Sequence, residues 1–172
     1  MPDDRSNRAR LGRARRRCSG NPSYLAQRPD VQADKIALLG WSNGGSTVLS
    51  VIGRKTALKG GVAFYPGCQF YADQPRWHPR VPLAIEMGAA DNWTDPQPCE
   101  TIAARWPDAI TLTLYSGAYH DFDWPNLPLT LRTGLASSKD KTGQAYVGTN
   151  PAARDKAVAQ TLAQFRRWFG QE

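Results

Sequence analysis

The chain has 172 residues, the size of one compact domain able to bury a continuous apolar core. Its hydrophobic content of 41%, with six Trp, six Tyr and five Phe, fits a globular protein, and its longest apolar runs fall far short of a bilayer span, so no membrane segment is expected. The net charge of +7 would suit a nucleic-acid ligand, but residues 1–30 hold eight arginines against three aspartates, which accounts for +5 of it.

Seven of those arginines lie in an amino-terminal arm, residues 1–23, that has no hydrophobic period. Such an arm binds phosphate by counterion release, but it usually works beside a folded reader or stacking aromatics. Neither is present, so nucleic acid is not expected as a partner. The arm is expected to be disordered and solvated, or the product of an incorrect start site or frame. No apolar run follows the arginines as a secretory signal requires, so a cytoplasmic location is the default.

From Asp34 onward short β-like runs alternate with helical stretches, the pattern of a parallel sheet with crossover helices. Lys35–Leu39 is the first predicted strand, and its nearly unbroken apolar run suggests burial on both faces. Gly44–Arg54 reads as a helix with Val48, Leu49, Val51 and Ile52 on its apolar side. Gly60–Tyr65 is a second strand, closed by Pro66 and Gly67, and Pro82–Met87 is a third after a proline-rich loop that carries His78. Asp95 and Pro96 start a short helix that runs to about Trp106, before Pro107. Ile110–Tyr115 is the fourth strand.

Residues 124–149 mix Pro, Gly, Ser and Lys without a sustained period, which predicts a long surface excursion near a site. A final helix begins at the N-cap Asn150 with Pro151 in its first turn, and Val158, Leu162, Phe165 and Phe169 mark its apolar face. The three cysteines, Cys18, Cys68 and Cys99, show no metal-ligand spacing. Cys68 and Cys99 are open to two readings, a disulfide between converging loops or two separate thiols.

Gly40-Trp41-Ser42-Asn43-Gly44-Gly45 holds a G-x-S-x-G pattern directly after a strand and directly before a helix. A turn that tight leaves no room for side chains at the flanking glycines and lifts the serine hydroxyl onto the helix amino terminus. A serine needs an imidazole to accept its proton and a carboxylate to orient that imidazole. Asp91 follows the third strand and His120 the fourth, so all three groups sit past strand carboxyl ends, in the order serine, acid, histidine. Asp95 is the alternative acid, and it also suits a helix cap. His78, between Trp77 and Pro79, reads as a surface histidine, and Asp121 and Asp123 as loop-shaping carboxylates. The backbone N–H of Asn43 is the expected first oxyanion donor. A second should come from a loop upstream of Lys35, where no strand-like segment is found.

Together with Phe64-Tyr65-Pro66-Gly67-Cys68, Asp91-Asn92-Trp93-Thr94 and Gly117-Ala118-Tyr119-His120-Asp121-Phe122-Asp123, the serine motif resembles the dienelactone hydrolase family of α/β-hydrolases. The resemblance covers roughly residues 24–172. It implies an esterase or lactonase with no metal and no organic cofactor, acting on a small-molecule ester or lactone. The best-known members use a cysteine nucleophile, so Ser42 moves the expectation from dienelactone toward a general ester. The family fold also places several strands before the nucleophile strand. This chain is therefore expected to be a truncated α/β-hydrolase of about four strands, with a weakened or lost activity. The alternative is a non-catalytic remnant that self-associates through the open edge of its first strand.

Overall fold

The computed structural model describes residues 24–54 and 56–171. The expectations for the arm, residues 1–23, lie outside the described residues. Four parallel strands form the main sheet in the order of the chain: β1 (Leu38–Trp41), β2 (Gly61–Phe64), β3 (Leu83–Gly88) and β4 (Ile110–Tyr115). Helices α1 (Asn43–Ile52), α2 (Gln69–Ala72) and α3 (Gln97–Arg105) lie in the three crossovers, and α4 (Pro151–Phe169) closes the chain. This is the α/β architecture that the alternation of elements predicts. No helix among the described residues is long and apolar enough to cross a membrane.

Burial follows position in the sheet. Every residue of β2 and β3 is buried, because each of these strands has a neighbour on both sides and apolar cover. The first strand differs from expectation in place and in burial. Its ladder runs Leu38↔Gly61 to Trp41↔Phe64, so it starts three residues and ends two residues nearer the serine than Lys35–Leu39. It pairs on one side only among the described residues, so Leu39 remains 37% and Trp41 46% exposed, where the apolar run suggested double burial.

The final helix starts as predicted, with the Asn150 side chain accepting the N–H of Ala153 at 3.1 Å, and ends at Gly170 in the left-handed conformation. Its packing face is a correction. Ala153, Ala157 and Thr161 are buried, while Val158 is 41% and Leu162 50% exposed. Small residues four apart let the helix axis approach the sheet, which places Val158 and Leu162 toward solvent. Phe165 and Trp168 still pack on the core, and Trp168 lies so close over Gly60 that a Cβ there would meet its ring at 2.6 Å.

Two further features were not predicted. The short helix α2 follows β2, and the excursion of residues 124–149 contains an antiparallel pair, β5 (Thr130–Arg132) with β6 (Ala145–Val147). Ala145 and Val147 are buried, so this segment is anchored to the domain by β6 and exposes β5. Cys68 and Cys99 form a disulfide, which joins the loop after β2 to the first turn of α3.

Candidate active site

Ser42 occupies the turn between β1 and α1 at φ 50° and ψ −115°, a conformation that L-residues rarely adopt. The turn is held from both sides. The Ser42 N–H donates to the Phe64 carbonyl at 2.9 Å, and the Ser42 carbonyl accepts the N–H of Ser46 at 2.9 Å. The glycine requirement is met partly elsewhere than expected. A Cβ on Gly40 would stand 2.4 Å from the Gly44 carbonyl oxygen, and one on Gly45 would stand 2.9 Å from the Phe64 carbonyl oxygen. A Cβ on Gly44 would meet nothing within 4 Å. The sterically required pair is thus Gly40 and Gly45. Asn43 is the first residue of α1, so its backbone N–H is among the donors that an α-helix leaves without an intrahelical partner.

Asp91 follows β3 in a turn built on its own carboxylate. Oδ1 accepts the backbone N–H groups of Trp93 at 2.8 Å and Thr94 at 2.9 Å. Oδ2 lies 2.8 Å from Thr94 Oγ1 and 2.8 Å from His120 Nδ1. Asp91 and His120 are both buried, at 2% and 1% exposure. A carboxylate only accepts, so it fixes the hydrogen on Nδ1 and leaves Nε2 as the acceptor. That Nε2 lies 3.1 Å from Ser42 Oγ. The structure therefore brings Ser42, His120 and Asp91 into one hydrogen-bonded chain.

The imidazole is enclosed by aromatic rings, Tyr65 at 4.4 Å and Trp93 at 4.8 Å between centroids. Its backbone pairs with Val147 of β6, and its carbonyl accepts the Gly148 N–H at 3.1 Å. The excursion is therefore the element that seats the histidine loop. Asn92 adds a second tie, its side chain accepting the Tyr146 N–H at 2.9 Å.

The rival groups have other roles. Asp95 accepts the Gln97 N–H at 3.2 Å and pairs with Lys139 at 3.0 Å. His78 packs on Trp106 at 5.5 Å. Sequence reasoning gave no role to Thr94, which braces Asp91, or to Tyr65, and read Asp123 as loop-shaping, whereas its carboxylate bonds Tyr65 and Trp41. Tyr65 sits at φ 37° at the end of β2, and its hydroxyl donates to Asp123 Oδ1 at 2.7 Å. Burial and the adjacent Asp123 carboxylate push the Tyr65 phenol well above its ordinary range. Burial likewise raises the Asp121 carboxyl. Among the described residues no group of His, Cys, Asp and Glu is arranged to hold a metal ion.

A parallel sheet that carries a serine on a strained strand-to-helix turn defines the α/β-hydrolase fold. The model of the dienelactone hydrolase family matches residues 5–171, and the chain belongs to that family. No curated protein matches it. Among solved structures it is similar to a dienelactone hydrolase-like promiscuous phosphotriesterase from metagenomic libraries, at 19% identity and a TM-score of 0.70 over 96% of this chain and 65% of that one. It is also similar to m3DLH, at 20% identity and a TM-score of 0.69 over 97% of this chain and 69% of that one. Esterase 2 of Thermogutta terrifontis, solved phosphoramylated by tabun, aligns at 14% identity and a TM-score of 0.59 over 94% of this chain and 64% of that one. The chain thus spans about two thirds of the length of these structures, and the likeness is one of fold.

Proposed function

We propose that the chain carries the acyl-transfer chemistry of a serine hydrolase acting on a small-molecule ester or lactone. Ser42 Oγ attacks the carbonyl carbon while His120 Nε2 takes the hydroxyl proton. The tetrahedral oxyanion is met by the Asn43 N–H, and its collapse breaks the ester C–O bond as imidazolium returns the proton to the leaving oxygen. Water then repeats the sequence on the acyl-enzyme, releasing the acid and Ser42. Asp91 holds the imidazole in the required tautomer throughout. This reading calls for no cofactor.

The observation that carries the proposal is the continuous contact from Ser42 Oγ through His120 to Asp91, at 3.1 and 2.8 Å, on a serine held at φ 50°. Membership of a hydrolase family supports it. A fluorophosphonate probe tests it together with hydrolysis of a p-nitrophenyl ester. Labelling of Ser42 and loss of turnover in Ser42→Ala are expected, and folded protein that neither labels nor hydrolyses overturns the reading.

A second reading rests on the edge of the sheet. Exposed Leu39 and Trp41, on a strand that among the described residues is paired from one side, suit strand addition by another copy of the chain. Sedimentation would then show oligomers, and a stable monomer removes that reading.

A further inference from the structure

We infer that Asp123 is a positioning residue for His120, acting through Tyr65 and Trp41; the inference rests on the acyl-transfer reading above. The carboxylate joins the ends of β1 and β2. Oδ1 accepts the Tyr65 hydroxyl at 2.7 Å, and Oδ2 accepts the Trp41 indole N–H at 2.6 Å. Trp41 directly precedes Ser42, and Asp123 lies three residues beyond His120. One side chain therefore ties the neighbour of the nucleophile to the loop of the histidine.

Tyr65 closes the circuit. Its ring lies 4.4 Å from the His120 imidazole and 5.7 Å from Phe122, so the far end held by Asp123 fixes the surface against which the imidazole rests. Its backbone is held independently: its N–H donates to the Glu86 carbonyl at 2.8 Å, and its carbonyl lies 3.2 Å from Thr94 Oγ1. A bulky residue stays at φ 37° only when its surroundings over-determine it. Asp123 is in turn anchored from outside the site, its carbonyl accepting Arg154 Nε of α4 at 3.0 Å. A loop-shaping carboxylate would bond its own turn. This one bonds residues 58 and 82 positions away, just past β2 and on β1.

The imidazole must keep its orientation while its Nε2 partner changes from serine to leaving group to water. Rotation within its plane breaks either the Asp91 or the Ser42 contact, and the Tyr65 and Trp93 rings restrict tilting out of it. Without Asp123 the Tyr65 hydroxyl loses its hydrogen bond, and the surface on which the imidazole rests is free to shift. The effect belongs on kcat and not on KM.

The chain has two histidines, so a His78→Gln background makes 15N-histidine spectra a direct reading of His120. With Asp123 present, one tautomer is expected, protonated at Nδ1. Asp123→Ala should average the two nitrogen signals and lower kcat on a p-nitrophenyl ester by about ten- to a hundredfold, the scale of a small misplacement, with KM within about twofold. Asp123→Asn, which can keep both hydrogen bonds, should restore spectrum and rate. Tyr65→Phe keeps the ring and loses the hydroxyl, and should give the same changes in weaker form; it carries the test if Asp123→Ala does not fold. Unchanged spectra and kcat in Asp123→Ala, or in Tyr65→Phe if only that variant folds, overturn the inference. If the parent protein neither labels nor hydrolyses, the acyl-transfer reading falls, and the imidazole spectra still decide the positioning role.

Discussion

Gly88 and Ala118 are in backbone contact: a Cβ on Gly88 would stand 2.4 Å from the Ala118 carbonyl oxygen. That oxygen also accepts the Ala90 N–H at 3.0 Å. The contact joins the end of β3 to the turn after β4 and so sets the distance between the Asp91 and His120 loops. Gly88→Ala forces the two backbones apart. It should destabilise the fold by about 1–3 kcal/mol, the usual cost of overpacking, and lengthen the Asp91–His120 contact. Denaturant unfolding measures the first effect. The 15N-histidine spectrum measures the second, as a loss of the single tautomer.

Gly44 and Gly45 are adjacent but not equivalent. Gly44 is in α1, exposed, with open space where a Cβ would go. Replacing it by Ala should leave stability unchanged or raise it by up to about 1 kcal/mol, through helix propensity. Gly45→Ala places a methyl 2.9 Å from the Phe64 carbonyl oxygen and 3.2 Å from Pro66 Cβ, and should cost about 1–3 kcal/mol. Thermal melts of the two variants should separate by several degrees. Equal melting temperatures would show that the turn relaxes freely.

What could be read from the sequence depended on whether the signal was local. Ile110–Tyr115 has the same bounds in sequence and structure, because alternation and the preceding Pro107 both act within a few residues. Ser42, Asp91 and His120 could be singled out because each follows its own strand within a few positions. The first strand was placed too early because the apolar run ends at Leu39, whereas the ladder with β2 extends to Trp41. The face of α4 was misjudged because Val and Leu outrank Ala in apolarity, while the sheet demands closeness and selects Ala153 and Ala157. The Trp41–Asp123–Tyr65 contacts had no local signature at all, since their spacing is a product of the fold.

Cys68 and Cys99 join, across a separation of 31 residues, the loop that begins at Tyr65 to the helix that follows Asp91. A cross-link of that span limits the unfolded chain and contributes about 2–4 kcal/mol. Reduction, or the Cys68→Ser and Cys99→Ser pair, should therefore lower the melting temperature by several degrees. Turnover by the remaining folded protein should fall as well, because both halves of the His120 enclosure hang from these loops. A melting temperature insensitive to reductant would show that the bond contributes nothing to the fold.

Glu86 gives the domain a pH dependence of its own. It is buried on β3 beneath α4, and burial pushes its carboxyl up from 4.5 to about 7, against a smaller opposing effect of the Tyr115 hydroxyl. The Tyr115 oxygen faces both Glu86 Oε2, at 2.6 Å, and Gln160 Oε1. One hydroxyl hydrogen cannot serve two acceptors, so the second comes from a protonated Glu86 or from the Gln160 amide turned to present its NH2. Between pH 4.5 and about 7 the folded chain holds a proton that the unfolded chain has released, so stability falls as pH rises through that window and levels off above it. The loss is on the order of 3 kcal/mol for one such group. Glu86→Gln keeps a donor toward Tyr115 and removes the charge. Its melting temperature should match the parent near pH 4.5 and exceed it by several degrees at pH 8. A difference that stays constant across that range would show that Glu86 does not titrate there.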